Sequence, residues 1–204
     1  MNSDLFVISA PSGTGKTTLI RKLLGGLTGI DFSVSFTTRS RREGEREGTD
    51  YHFVSAYEFD RMVEGGEFLE WAQVYGHRYG TSAKHVDKSL SSGRDVLLDI
   101  DTQGAASVRK SRREATLIFI LPPDRATLER RLRGRGVDSP EEVARRLEAA
   151  RAELERYTMY DYIVVNDSIE EALKKLEAIV LAHRCRRSRQ EESCRGIVAG
   201  FTGA

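Results

Sequence analysis

The segment Ala-Pro-Ser-Gly-Thr-Gly-Lys-Thr at residues 10–17 constrains the fold of this chain more than any other feature. It follows an apolar run at residues 5–9 and precedes an amphipathic stretch at about residues 15–24, which indicates a strand, a loop and a helix. Except for alanine at the first glycine position, it matches the phosphate-binding pattern G-x-x-x-x-G-K-[ST]. The backbone N–H groups of such a loop surround a phosphate at the N-terminus of the helix. The sequence therefore predicts a polyphosphate-binding loop, with Lys16 near the β- and γ-phosphates and the Thr17 hydroxyl available to Mg²⁺.

Further apolar runs alternate with helical stretches along the rest of the chain. Strands are predicted at residues 95–100, 116–121 and 162–165, and helices up to about residue 112 and at 124–133, 140–157 and 169–182. This alternation predicts a parallel sheet covered by helices on both faces. Residues 34–83 interrupt it with short polar strand-like pieces, and residues 125–148 place seven arginines in a helix-turn-helix. We expect a core of residues 1–33 and 84–204 that carries an α+β insertion at 34–83 and a helical lid at about 125–148.

The composition limits the partners that the chain can attract. The 204 residues carry 32 basic and 31 acidic groups, so no overall field favours nucleic acid, and a phosphate ligand must be held by local clusters. No apolar run has the length of a membrane span or of a signal peptide, and we expect a cytoplasmic protein with two reduced cysteines. The basic tail, residues 184–204, is expected to be solvated and partly disordered. The oligomeric state is left open.

Two carboxylates follow the apolar strand at residues 95–100. Asp99 and Asp101 stand at the end of a predicted parallel strand, where ligands meet open α/β sheets, and strand alternation points both side chains to one side. One can take a water bound to Mg²⁺ while the other binds an amino group of a substrate or an arginine. Either residue can instead cap the next helix. Which of the two serves the metal stays open.

Arginine is dense in two regions that are far apart in sequence. The first group is Arg39, Arg41 and Arg42, and the second is Arg131, Arg133, Arg135, Arg145 and Arg146. Phosphoryl transfer depends on positioning and on neutralising phosphate charge, so arginines that converge on two phosphates indicate a small-molecule kinase. No general base stands out, and an acceptor that is itself a phosphate needs none, because its second pKa is about 6. The alternative is ordinary surface charge paired with glutamates.

The order and spacing of several motifs resemble the guanylate kinase family over about residues 5–182. Besides the phosphate loop, the matching segments are F-S-V-S-F-T-T-R at 32–39, R-E-G-E at 42–45, G-T-D-Y-H-F-V at 48–54, F-L-E-W-A at 68–72, Y-G-T at 79–81, L-D-I-D-T-Q-G at 98–104, R-L-R-G-R-G at 131–136, R-L at 146–147 and V-N-D at 165–167. The chain departs from the pattern at Ala10 and in the turn at residues 136–140. The resemblance implies a P-loop NTPase-type α/β fold, a parallel sheet flanked by helices, with a GMP-binding insertion and a helical lid.

The resemblance also implies Mg²⁺-dependent transfer of the γ-phosphoryl group from ATP to GMP, and it assigns residues to each part. The ATP-binding residues are Ala10, Pro11, Ser12, Gly13, Thr14, Gly15, Lys16, Thr17, Thr18, Asn166 and Asp167, with Asn166 near the adenine. The GMP-binding residues are Ser35, Arg39, Arg42, Glu45, Tyr51, Glu70, Tyr79, Gly80, Thr81 and Asp99. The catalytic residues are Lys16, Arg42, Arg135 and Arg146, and the metal ligands are Thr17 and Asp101.

Two other interpretations fit parts of the sequence. A P-loop kinase for another phosphorylated acceptor would keep the loop and the lid arginines without needing Ser35, Glu70 and Thr81. Guanylate-kinase-like modules of scaffold proteins resemble the same fold but bind peptides, and their phosphate loops are typically degraded. The intact loop of this chain favours the enzyme.

Overall fold

The computed structural model describes residues 3–74, 76–134 and 139–202. The elements in chain order are β1 (Leu5–Ser9), α1 (Lys16–Gly26), β2 (Ile30–Phe32), β3 (Phe36–Thr37), β4 (His52–Phe53), α2 (Ala56–Glu64), β5 (Phe68–Val74), β6 (His77–Ser82), α3 (Ala83–Ser91), β7 (Asp95–Asp99), α4 (Thr102–Ser111), β8 (Thr116–Leu121), α5 (Arg125–Arg133), α6 (Pro140–Leu154), β9 (Tyr162–Val165), α7 (Ile169–Arg184) and α8 (Arg187–Thr202). A short 3₁₀ helix, Glu155–Met159, follows α6. No described helix has the length and apolar character needed to cross a membrane.

The main sheet has five parallel strands in the order β2-β7-β1-β8-β9. Alternate residues of the central strand β1 point to opposite faces. Phe6 and Ile8 pack with α1 and α7, and Leu5 and Val7 pack with residues of α3 and α4. All four side chains are at most 3% exposed. The predicted parallel sheet covered on both faces is therefore confirmed, and the predicted strands at 116–121 and 162–165 have the observed bounds.

A second, four-stranded sheet in the order β4-β3-β6-β5 lies within the predicted insertion. Strands β5 and β6 form an antiparallel hairpin, and β6 also pairs with β3. Helix α2 covers this sheet through Phe59, which is fully buried and stacks on Phe68 with 4.6 Å between ring centroids. The insertion thus has an apolar contact of its own, and β5 also packs against helix α4 of the core.

Helices α5 and α6 fall in the predicted lid region and share a small apolar cluster of Leu128, Leu132, Val143 and Ala150. Helix α6 begins as its sequence predicts, because the Ser139 hydroxyl accepts a hydrogen bond from the Glu142 backbone N–H and proline occupies the first turn. The turn between the helices, residues 135–138, lies outside the described residues and includes the predicted catalytic Arg135.

The C-terminal tail differs from the expectation of partial disorder, because residues 187–202 form helix α8. Ion pairs connect the start of the tail to the core. Arg184 and Arg189 both donate to the carboxylate of Asp95, at 2.8 and 2.9 Å, and this carboxylate is 1% exposed. Arg189 also pairs with Asp4 at 3.1 Å. A buried carboxylate needs such partners, which explains why the basic start of the tail folds onto the sheet.

Candidate active site

The phosphate loop connects the end of β1 to the start of α1, and two glycines determine its shape. Gly13 and Gly15 have φ values of 92° and 89°, in the left-handed region that other residues rarely adopt. Space is also limited, since a Cβ atom on Gly15 would lie 2.7 Å from the Asn166 amide nitrogen. The Thr14 hydroxyl donates to the Pro11 carbonyl at 2.9 Å. Ala10, at the first glycine position of the pattern, directly follows strand β1.

Two side chains from other parts of the chain, Asn166 and Arg131, hydrogen-bond to the backbone of the loop. The Asn166 side chain is fully buried, and its amide nitrogen donates to the Thr14 carbonyl at 2.6 Å. Arg131 donates to the backbone carbonyls of Asn166 at 3.0 Å, of Thr14 at 3.4 Å and of Asp167 at 3.4 Å. Asn166 is also predicted to lie near the adenine of ATP, and its side chain supports the loop backbone in this structure. Arg131 belongs to the arginine group that was predicted to neutralise phosphate charge, and in this structure it binds backbone carbonyls of the loop and of Asn166.

Lys16 and the two aspartates at the end of β7 lie beside the loop. The Lys16 ammonium group pairs with Asp99 at 2.5 Å and is 3.5 Å from the Ile100 carbonyl. Asp101 caps helix α4, because one carboxylate oxygen accepts from the Gly104 backbone N–H at 2.8 Å and the other from the Gln103 amide at 3.2 Å. The structure thus shows the alternative role, a helix cap, for Asp101, whereas the pairing of Asp99 with Lys16 was not predicted.

These residues fit a magnesium ion that is shared with a nucleotide. Thr17, Asp99 and Asp101 line one cleft and offer only oxygen donors, which Mg²⁺ prefers. Among the described residues no group of three or more His, Cys, Asp or Glu side chains could hold a metal alone. Sites of this kind bind Mg²⁺ through one or two protein oxygens together with substrate phosphates.

On the other side of the cleft, β5 and β6 present a buried carboxylate. Glu70 is 6% exposed, and it accepts a hydrogen bond from the Thr81 hydroxyl at 2.5 Å. Burial raises the pKa of Glu70 to about 7; the hydrogen bond from Thr81 opposes this increase and the charge of Asp101 adds to it. The carboxylate packs on the first turn of α4, where a Cβ atom on Gly104 would clash with it. Ser35, which is 8% exposed, lines the same cleft.

Arg39 is held in place by its neighbours in the insertion. Its guanidinium group forms two hydrogen bonds to Glu45, at 2.7 and 3.1 Å, and lies 5.4 Å from the centre of the Tyr51 ring. The hydrogen bond to Glu45 raises the pKa of Arg39 above its usual value and lowers that of Glu45. Glu45 also accepts from the Arg42 backbone N–H at 2.8 Å. Glu45, predicted to bind the acceptor, thus orients the arginines in this structure.

A second cavity of about 790 Å³ adjoins the first, of about 330 Å³, and the two share lining residues. The shared residues are Thr17, Ser35, Tyr51, Tyr79 and Asp99. The first cavity adds residues 10–18 of the loop with Glu70 and Asp101, and the second adds Arg39, Arg42 and Glu45. The structure therefore brings most predicted residues to one continuous cleft. Gly80 lies behind it, where a Cβ atom would be 2.8 Å from Phe68.

Helix α6 brings two further charges to the loop. Arg146, predicted from the sequence, donates to the Ser12 hydroxyl at 2.8 Å. Glu153, which was not predicted, lines the cleft together with the loop and Asp101. Burial raises the pKa of Glu153 to about 7; the positive charge of Lys16 opposes the increase and Asp101 adds to it. The spacing of seven residues between Arg146 and Glu153 is the signal that could have identified this glutamate, since it places both on one helix face.

A parallel sheet with a phosphate loop after its central strand, and a cleft lined by cations and carboxylates, defines the class of P-loop nucleotide-binding proteins. The protein-family model described as guanylate kinase matches residues 2–183. A guanylate kinase of Syntrophotalea carbinolica is 49% identical over 188 residues, 92% of this chain and 90% of the relative. One from Haemophilus ducreyi is 45% identical over 201 residues, 98% of both chains. The crystal structure of guanylate kinase from Anaplasma phagocytophilum superposes with a TM-score of 0.77 at 36% identity, and covers 92% of this chain and 89% of the other. The chain belongs to the guanylate kinase family.

Proposed function

We propose that this protein is an ATP:GMP phosphotransferase, which transfers the γ-phosphoryl group of ATP to GMP with Mg²⁺ and yields ADP and GDP. The observation that carries this proposal is the buried Glu70–Thr81 pair in the same cleft as the phosphate loop. A phosphate loop alone is common to motors, switches and kinases. A buried carboxylate that faces it across the cleft supports a substrate with hydrogen-bond donors on its base.

Guanine has the donors that Glu70 needs. Its N1–H and its exocyclic amino group lie side by side and can donate to one carboxylate, whereas adenine has neither donor on that edge. A site that hydrogen-bonds a substrate group can reject an analogue without it by roughly 10⁴–10⁵. Thr81 holds the carboxylate from behind, and Ser35 lines the cleft beside it as a further polar contact for the base.

The acceptor phosphate would bind to the arginines of the insertion. Arg39 is oriented by Glu45 and lies over the Tyr51 ring, and Arg42 lines the same cavity with Tyr79. Planar guanidinium groups suit the bidentate binding of a phosphate. Because a phosphate acceptor is largely dianionic at neutral pH, its alignment replaces the general base that a hydroxyl acceptor would require.

On the donor side, the phosphates of ATP would occupy the loop at the N-terminus of α1. Lys16 would leave Asp99 for the β- and γ-phosphates, and Arg146 would leave Ser12 for the transferring group. Thr17 and Asp101 would hold Mg²⁺, which neutralises phosphate charge during transfer. Arg135 is assigned the same role as Arg146 from the sequence alone.

We place this reaction in the cytoplasm, in agreement with the two free thiols Cys185 and Cys194.

The test is a coupled assay of ADP release with ATP, Mg²⁺ and each of GMP, AMP, CMP and UMP in turn. We expect turnover with GMP and a rate at least roughly 10³-fold lower with AMP, because AMP leaves the Glu70 carboxylate without a partner. Turnover with a different acceptor would contradict the base-reading role of Glu70 but keep the kinase. No turnover with any acceptor would favour a non-catalytic peptide-binding module.

A further inference from the structure

Glu153 is an acidic residue in a place where a polyphosphate-binding cleft has no evident use for one. Its side chain is half-buried against the cleft, whereas Arg151, Ala152 and Glu155 beside it in sequence are exposed. A carboxylate near a bound triphosphate is repelled by it, and in a partly desolvated cleft this repulsion is strong. The repulsion disappears when a cation lies between the carboxylate and the phosphates. The position of Glu153 therefore indicates a bound cation.

The neighbours of Glu153 support the same conclusion. Lys16, Arg156, the predicted metal ligand Asp101 and the hydroxyl of Tyr160 are all within electrostatic range of it. Tyr160 is 9% exposed, and its hydroxyl is within hydrogen-bonding reach of the Ser9 side chain, whose hydroxyl also donates to the Asp101 carbonyl at 3.4 Å. Buried hydroxyl groups are almost always hydrogen-bonded to protein or to ordered water. Glu153 thus lines the cleft together with the oxygen donors Thr17, Asp99 and Asp101, a set that suits the water shell of an ion.

Helix α6 relates this space to the lid. Arg146 and Glu153 are seven residues apart, about two helical turns or roughly 10 Å along one face. Arg146 contacts the loop at Ser12, and Glu153 faces the cleft beside Lys16 and Asp101. The same helix thus brings the positive side chain of Arg146 to the Ser12 end of the phosphate loop and the negative side chain of Glu153 to the Lys16 end. Any group that holds Glu153 also keeps Arg146 over the phosphates.

We propose that Glu153 is a positioning residue that binds the water shell of the nucleotide-bound Mg²⁺ and so couples the presence of the metal to the closed position of α6. This inference rests on the proposed function, in which Mg²⁺ is shared between the protein and ATP. Magnesium keeps several of its waters when it binds a protein site together with phosphates. Carboxylates that hold such outer ligands typically change metal affinity by roughly 10–100-fold when they are removed.

The experiment is calorimetric titration of the protein with the non-hydrolysable ATP analogue that has a β,γ-imido bridge, once with Mg²⁺ and once with EDTA. The ratio of the two dissociation constants gives the factor by which Mg²⁺ increases the affinity for the nucleotide, which we call the tightening due to the metal. For Glu153→Gln we expect this tightening to fall at least about tenfold. Affinity in EDTA should stay equal or improve slightly, because a negative charge near the phosphates is gone. The matched control is Glu148→Gln, which removes the same charge from an exposed position of α6 and should behave like the wild type.

Three results would overturn the inference. They are full metal-dependent tightening in Glu153→Gln, an equal loss of affinity with and without Mg²⁺, and no tightening by Mg²⁺ in the wild type. A thermal melt of each variant checks folding, and Glu153→Asp, which keeps the charge on a shorter side chain, should retain part of the tightening. Because these titrations contain no GMP, they are independent of the acceptor assay. If the proposed function is wrong, the acceptor assay shows no ADP release. If this inference is wrong, the titrations show one of the three results above.

Discussion

The acceptor side and the donor side of the cleft are held together in different ways. On the acceptor side, the charged groups of Arg39 and Glu70 are bonded to partners close in sequence: Arg39 to Glu45 six residues on, and Glu70 to Thr81 across one hairpin. On the donor side, the partners come from distant parts of the chain. Lys16 pairs with Asp99, and Arg146 donates to Ser12, 134 residues earlier. The acceptor side is assembled by one small sheet, and the donor side by the whole fold.

The difference has a functional meaning. Glu45 and Thr81 hold Arg39 and Glu70 in place before any ligand binds, so the acceptor side is preorganised. Lys16 and Arg146 instead bond to protein groups that phosphates must replace. Binding of ATP would exchange these ion pairs and hydrogen bonds and so couple the donor to the lid, as closure of an active site requires. Substitutions on the acceptor side should therefore change substrate selection, and those on the donor side should change the rate.

The largest effect is expected for Glu70→Ala. Loss of the carboxylate leaves both guanine donors unpaired in a buried site, so kcat/KM for GMP should fall by roughly 10³-fold or more. The affinity for ATP should remain nearly unchanged, because the loop contacts do not involve Glu70. Steady-state kinetics together with ATP titration measure both quantities, and Glu64→Ala, an exposed acid of α2, serves as control. An equal loss of affinity for both nucleotides would show that the two sides are not separable.

Arg146→Ala tests the donor side. We expect kcat to fall by roughly 10²–10³-fold with little change in KM for GMP, because a guanidinium group aimed at the transferring phosphoryl group acts in the transition state. Arg145→Ala is the matched control. Arg145 is the neighbour of Arg146 on α6, but it is exposed and pairs with Glu142 at 2.7 Å. A raised KM with unchanged kcat would instead assign Arg146 to substrate binding. Arg135→Ala is expected to behave like Arg146→Ala.

Glu45→Gln tests whether the acceptor side is preorganised. Arg39 would lose its charged partner but keep its position over Tyr51, so KM for GMP should rise about tenfold while kcat changes little. Guanosine, which lacks the phosphate, distinguishes this effect from base recognition. Its inhibition constant should be unchanged in Glu45→Gln and should increase strongly in Glu70→Ala. An unchanged KM for GMP in Glu45→Gln would mean that Arg39 needs no orienting partner.

The same contrast explains what could be predicted from the sequence. The loop glycines and the Ser139 cap interact with near neighbours and follow local rules of backbone conformation and hydrogen bonding. Their motifs can therefore be recognised in the sequence. The strands are readable because parallel strands buried on both faces are continuous apolar runs. Four strands of the main sheet and its loop were accordingly predicted, and the three-residue edge strand β2 was not.

Interactions between distant residues were not predicted. The Asn166 side chain is bonded to the Thr14 carbonyl, 152 residues earlier in the chain. The start of the tail looked solvated because its arginines are dense, yet Arg189 bonds to Asp95, 94 residues earlier, once the sheet has brought them together. Glu153 was missed for the same reason, since its role depends on where α6 lies relative to the loop. Local patterns contain no information on these distances.

Guanosine binding should depend on pH through Glu70. Burial raises the pKa of this carboxyl group to about 7, so below pH 7 it is increasingly protonated and can no longer accept from both guanine donors. The dissociation constant of guanosine should therefore increase by up to about tenfold per pH unit below 7 and be constant above pH 8. Guanosine is preferable to GMP here, because the phosphate of GMP titrates near pH 6. Glu70→Gln should bind weakly and without this pH dependence, and a flat profile in the wild type would contradict the assignment.

The smallest effect concerns stability, and it has the opposite sign to the effect on activity. A carboxyl group whose pKa is raised in the folded state stabilises the fold fully below its ordinary pKa of 4.5, and this contribution is lost as the pH rises through about 7. At pH 8 the folded protein must bury a charged Glu70, whereas Glu70→Gln buries a neutral amide of similar shape. We expect the variant to be more stable by about 1–3 kcal/mol at pH 8, a few degrees in Tm, with a smaller difference at pH 5. Thermal melts at the two pH values measure this. A variant that is less stable at pH 8 would mean that the Thr81 hydrogen bond outweighs desolvation, and the base-reading carboxylate would then cost the fold nothing.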